Sequence, residues 1–191
     1  MTRLLAFIFA LALSCGAVFA QNGVPNGGGM GVPSNAPAPP VLVLMAKSNV
    51  QQAVTGTLTE TVLATINLPA NTIGANGQVR IRTYWTVTNS ANNKTLRVRF
   101  GTAGISSTAI STSTITTFSS PFITVDMQNN NATNAQNAFS VGSRGTDGLT
   151  TTVLAISSID TTVSENLYIT GQLANTGETI TLTSYSVEYA F

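Results

Sequence analysis

The chain predicts an all-β fold, an antiparallel β-sandwich of jelly-roll type, and three observations carry that prediction. Apolar and polar residues alternate over short runs across residues 41–191, the period of strands with one buried and one exposed face. Charged residues make up 8% of the 191 residues while hydrophobic ones reach 43%. Solubility therefore rests on Thr, Ser and Asn, whose side chains suit strand faces and turns and compete with the backbone inside helices. Asn-, Gly- and Pro-rich turn signals recur at short spacing, and no segment shows a convincing helical period. Eight or so strands spaced this way describe a sandwich or jelly roll.

The elements follow in chain order. Residues 1–20 read as a signal peptide: Arg3, the apolar run LLAFIFALAL, then small residues ending at Ala20. The run is too short for a good membrane span; lipidation at Cys15 is the alternative. Residues 21–40, QNGVPNGGGMGVPSNAPAPP, form a Gly/Pro-rich flexible linker. The β-sandwich domain takes up residues 41–191. Its first strand lies at 41–45. Residues 61–68, TVLATINL, place Val62, Ala64, Ile66 and Leu68 on one face, and Pro69 stops the strand.

Residues 78–101, QVRIRTYWTVTNSANNKTLRVRFG, are read as a hairpin around an Asn-rich turn. Val79, Ile81, Trp85 and Val87 share the buried face of its first strand, and Leu96, Val98 and Phe100 that of its second. The opposite faces carry Arg80, Arg82, Tyr84, Arg97 and Arg99, so four of the six arginines gather on one side, with Tyr84 near Arg99. A weak strand follows at 110–117, then a strand from Phe122 with Ile123, Val125 and Met127 on one face. Residues 128–137, QNNNATNAQN, form a long polar loop. Further strands lie at 151–156, 166–173 and 179–191. In the last, the buried parity changes between Leu182 and Tyr185, which predicts a bulge near Ser184.

Composition narrows the chemistry. There is no histidine, and the single cysteine lies in the leader. Cleavage after Ala20 would leave a domain without Ser-His-Asp or Cys-His catalysis, histidine metal sites or disulfides. Eight basic residues less Arg3 leave seven against seven acidic ones, a net charge of zero, which does not support nucleic-acid binding. The carboxylates Glu60, Asp126, Asp147, Asp160, Glu165, Glu178 and Glu188 are scattered, with no local pair of the kind a glycosidase needs. Residues 142–148, GSRGTDG, lack the GK[ST] of a phosphate loop, and Asp147 alone is a weak calcium signal. No catalytic residue, metal ligand or cofactor is expected. The candidate binding or subunit face is Arg80, Arg82, Tyr84, Arg97 and Arg99, with three readings open: a solvated face, a subunit contact, or a site for an anionic ligand such as a surface glycan. Trp85 is read as a core anchor.

From about residue 55 onward the chain resembles bacteriophage and prophage virion-associated proteins. The resemblance rests on TETVLATINLPANTIGANGQVRI, TVTNSANNKTLRVRFG, NNNATNAQN and LANTGETITLTSYSVEYA. It implies a jelly-roll-like module attached to a tail, fibre or capsid, with homo-oligomerisation, a trimer by analogy, and contacts to other protein subunits. The expected function is a non-enzymatic structural or attachment module presenting a sandwich face and loops to a partner subunit or cell surface. The alternative is a secreted bacterial carbohydrate-binding or adhesion domain. The leader places the protein outside the cytoplasm, in the medium, periplasm or envelope, with the virion as the alternative location.

Overall fold

The computed structural model describes residues 41–142, 150–151 and 154–190. The expected signal peptide, the expected linker at 21–40 and the segment containing Asp147 lie outside the described residues.

Twelve strands are described: β1 (Val43–Ser48), β2 (Gln52–Thr55), β3 (Thr61–Leu68), β4 (Gln78–Val87), β5 (Lys94–Gly101), β6 (Thr108–Ile115), β7 (Phe122–Asn129), β8 (Gln136–Gly142), β9 (Thr150–Thr151), β10 (Leu154–Ser157), β11 (Glu165–Leu173) and β12 (Thr179–Ala190). The larger sheet has the order β1-β12-β4-β7-β8-β10, with β2 also paired to β12; the smaller has the order β3-β11-β5-β6-β9. All pairings are antiparallel. The two sheets pack as a jelly-roll-like sandwich. β1 and β2 flank successive halves of β12, so they form one edge strand in two pieces.

The alternating pattern sets the layers. In β4, Val79, Ile81, Thr83, Trp85 and Val87 point inward, while Arg80, Arg82, Tyr84 and Thr86 point outward. Trp85 is 2% exposed, a core anchor, and its Nε1 donates to Thr83 Oγ1 at 2.8 Å. β5, β7 and β11 supply Leu96, Val98, Phe100, Ile123, Val125, Met127, Leu167 and Ile169 to the same apolar core. The bulge in β12 falls between Leu182 and Ser184, as the parity change predicts, and Thr183 Oγ1 donates to the Tyr84 carbonyl at 2.8 Å.

Several elements differ from the sequence reading. β3 carries a bulge at Leu63, because Ile169 pairs with Ala64 while Thr170 pairs with Val62. Leu63 turns inward and Val62 outward, so Val62 leaves the face shared by Ala64, Ile66 and Leu68. The polar loop at 128–137 is shorter than expected: β7 runs to Asn129 and β8 starts at Gln136. The single strand expected at 151–156 is two strands in different sheets, β9 beside β6 and β10 beside β8.

The largest correction concerns residues 78–101. β4 lies in the larger sheet between β12 and β7, and β5 lies in the smaller sheet between β11 and β6. They are not a hairpin. Residues 88–93 form an arch from one sheet to the other. The reason is the register each strand finds elsewhere: β4 pairs along its whole length with β12, and β5 along its whole length with β11.

Candidate binding surfaces

The arch separates the predicted arginine face. Arg80, Arg82 and Tyr84 project from the larger sheet, and Arg97 and Arg99 from the smaller. The two groups lie on opposite outer faces of the sandwich. Tyr84 is paired across strands with Phe122 and Ser184, not with Arg99.

Arg97 and Arg99 converge on one carboxylate. Arg99 Nε and Nη2 donate to Glu60 Oε1 and Oε2 at 2.7 and 2.8 Å, and Arg97 Nη1 donates to Oε2 at 2.9 Å. Thr170 Oγ1 donates to Oε1 at 2.6 Å. The Glu60 side chain is 11% exposed. Burial alone would raise its pKa; the hydrogen bonds from Arg99 and Thr170, with the charges of Arg97 and Arg99, outweigh burial and hold it below the ordinary glutamate value. Arg97 also donates to Gln172 Oε1, and Arg99 Nη1 to the Ser107 carbonyl. These two guanidiniums are engaged in holding residue 60 and the 101–108 loop to the sheet.

A second cluster clasps the arch. Lys94 is 0% exposed, and its Nζ donates to the Ser90 carbonyl and Oγ at 3.1 and 2.9 Å. Ser90 Oγ and Asn92 Nδ2 both donate to Glu178 Oε1. Burial lowers the Lys94 pKa, and the Glu178 charge opposes that shift. The cluster ties residues 88–93 to the turn before β12.

The outer face of the larger sheet is different in kind. Arg80 pairs with Asp126 at 2.7 Å, and Arg82 lies 3.9 Å from Glu188. Beside these pairs, Tyr84, Phe122, Phe139, Val141, Leu154 and Ile156 are all exposed, Val141 and Ile156 by 66% and 73%. The Tyr84 and Phe122 rings lie 6.3 Å apart, and Leu154 stands directly opposite Phe139 across the β8–β10 ladder. β8 and β10 thus invert the usual pattern. Their inward residues are small, Ala138, Ser140, Ala155 and Ser157, while the bulky apolar residues point out. β6 packs under this end of the sheet and contributes Ser111 and Ser113. The sheets approach closely there, so large side chains have room only outside.

A third feature is a pocket of about 260 Å3 at the sandwich rim, lined by Phe100, Gly101, residues 102–103 and 106–108, Ile159 and Glu165. Glu165 opens β11 on the same inward parity as Leu167 and Ile169. It is 7% exposed, and its Oε2 is buried without a hydrogen-bond partner. Burial, with a smaller contribution from the Asp160 charge, raises its pKa. The Gln136 side chain grips Ile159 from both sides of its peptide: Nε2 donates to the Ile159 carbonyl and the Ile159 N–H donates to Oε1, each at 3.0 Å.

The sequence reading missed the apolar outer face because alternation marks large apolar residues as inward. The signal that could have found it is the Ala/Ser identity of residues 138, 140, 155 and 157.

No protein-family model matches this sequence, and no curated protein matches it. Solved structures do show similarity in fold. The chain is similar to the CBM2 module of the evolved Dit of Lactobacillus casei BL23 phage J-1, at 12% identity and TM-score 0.34 over 66% of this chain and 68% of that one. It is similar to lectin I from Ulex europaeus, at 10% identity and TM-score 0.37 over 78% and 91%. It is also similar to the alginate lyase from Alteromonas sp. 272, at 7% identity and TM-score 0.29 over 64% and 78%. These likenesses assign no ligand and no activity to the chain.

Proposed function

We propose that this domain is a non-enzymatic attachment module that associates with a second copy of itself through the outer face of its larger sheet. The observation that carries this reading is the inverted patterning of β8 and β10, which exposes Phe139, Val141, Leu154 and Ile156 beside Tyr84 and Phe122. At about 4.8 Å between strands and 3.3 Å per residue, the outer face of the four strands from β4 to β10 spans roughly 300 Å2 here, with Thr124, Asp126 and Asn137 standing among the apolar residues. The largest apolar patch on an ordinary monomer is of about this size and is often functional. A standard interface takes about 800 Å2 per partner, so the Arg80–Asp126 and Arg82–Glu188 pairs form its polar rim.

Two features favour a second copy as the partner. The rim offers both signs of charge side by side, so it is complementary to itself. Among the described residues β10 pairs on one side alone, and its sequence, Leu-Ala-Ile-Ser, has none of the charge, proline or bulge that guards a solvent edge. By contrast, the edge at β1 carries Lys47 and a bulge between Leu44 and Ala46. This reading agrees with the subunit contacts that the resemblance to virion-associated modules implies. Light scattering of the wild type and of Ile156→Lys tests it: a defined oligomer that the substitution dissociates is expected, and a monomeric wild type or an unchanged variant mass would refute it.

A further inference from the structure

We propose that the rim pocket beside Glu165 binds a single neutral sugar ring, a site independent of the outer-face association. Its volume of about 260 Å3 lies just under the range of pockets for drug-sized ligands and suits one small ring. Its walls divide as such a ring does. Ile159, Ala103 and Phe100 are its apolar lining residues, while Thr102, Ser106 and Thr108 bring hydroxyls. A ring lays its C–H face on the first and its hydroxyls against the second.

Glu165 is the third part of the site. Glu60, Asp126 and Glu188 sit in ion pairs and Glu178 is held by Ser90 and Asn92, whereas Glu165 has no ion pair among the described residues. A buried acceptor left unpaired costs about 1–3 kcal/mol, and the position continues the inward run of Leu167 and Ile169, where an apolar residue would fit. Oε2 is closed off from the pocket in this structure, and a turn of the Glu165 side chain would bring it to a ligand hydroxyl and relieve that cost. The adjacent Asp160 charge disfavours phosphate or carboxylate ligands.

The walls are held before any ligand arrives. The Ala103 N–H donates to Ser107 Oγ at 2.9 Å, Tyr168 Oη donates to the Thr102 carbonyl at 3.3 Å, and Arg99 holds the Ser107 carbonyl at 2.8 Å. Gly101 has φ +131°, and a Cβ there would stand 3.2 Å from Ile159 Cδ1 and 3.3 Å from Ser107 Oγ. Any side chain would strain the backbone and intrude between two walls of the pocket. Such preorganisation lowers the entropic cost of binding.

The test is titration of the 15N-labelled full chain with glucose, galactose, mannose and N-acetylglucosamine, and with ethylammonium as a cationic probe. At least one sugar is expected to give saturable shifts at Gly101, Thr102 and Ser107. Binding should weaken by about tenfold in Glu165→Gln, the loss of one good hydrogen bond. It should vanish in Ser106→Trp, which fills the pocket from an exposed loop position, and persist in Ile156→Lys. Thermal unfolding establishes that each variant is folded. The proposal is overturned if no sugar saturates the wild type, if Ser106→Trp binds equally well, or if ethylammonium alone binds.

Discussion

Glu60 and Glu165 are both largely buried carboxylates, and their surroundings drive them in opposite directions. Glu60 accepts from Arg97, Arg99 and Thr170, so its folded pKa is depressed. Its stabilisation is present above the unfolded carboxylate pKa and is lost as pH falls through the folded value. Glu60→Gln should therefore cost about 2 kcal/mol at neutral pH, the scale of hydrogen bonds to charged groups, with the deficit shrinking in acid. Glu165 has a raised folded pKa, so its favourable contribution is present below the unfolded pKa and is lost as pH rises through the folded value. Glu165→Gln should be more stable than the wild type near neutrality, and the two should converge in acid. Urea titrations of both variants at pH 7 and pH 4 check these signs; the same sign of pH dependence for both would contradict the environments described. Neither environment was readable beforehand, since the arginines that hold Glu60 lie 37 and 39 residues away in the chain.

At the scale of elements, the arch at residues 88–93 shows what strand alternation reports and what it omits. The in–out parity of β4 and β5 was legible residue by residue, and the bulge in β12 was legible from its change of phase. The sheet to which each strand belongs was not. Parity distinguishes a buried face from an exposed one, and both outer faces of a sandwich read alike. Asn-rich residues between two alternating runs suit a hairpin turn and an arch equally. What closes the arch is the Ser90–Lys94–Glu178 cluster, whose acidic member lies 88 residues from Ser90. Glu178→Ala would remove the acceptor of Ser90 and Asn92 and the charge that opposes the desolvation of Lys94, at a cost of about 1–3 kcal/mol. The double variant Lys94→Met, Glu178→Ala should recover part of that loss. Chemical denaturation of the three proteins measures the coupling, and strict additivity would mean that the two groups do not act together.

At the scale of the molecule, the sandwich keeps its large apolar side chains inside at the Trp85 end and places them outside at the β8–β10 end. Ile156→Lys and Val141→Lys should therefore leave the monomer's stability within about 0.5 kcal/mol, as surface substitutions do, while weakening self-association. The comparison of melting temperature at low protein concentration with oligomer mass at high concentration separates the two effects.

β12 is the last of the described strands and also an interior strand of the larger sheet, flanked by β1 and β2 on one side and β4 on the other. Until residues 179–190 leave the ribosome, β1 and β2 have no partner and β4 lacks one of its two neighbours. The larger sheet thus cannot close until β12 has emerged, and the nascent chain stays open to chaperones up to that point. A chain ending at residue 178 should fail to fold, as the loss of dispersed near-ultraviolet circular dichroism would report. Folding of the whole chain should be slow, on the millisecond-to-second scale of β-sandwiches rich in distant pairings.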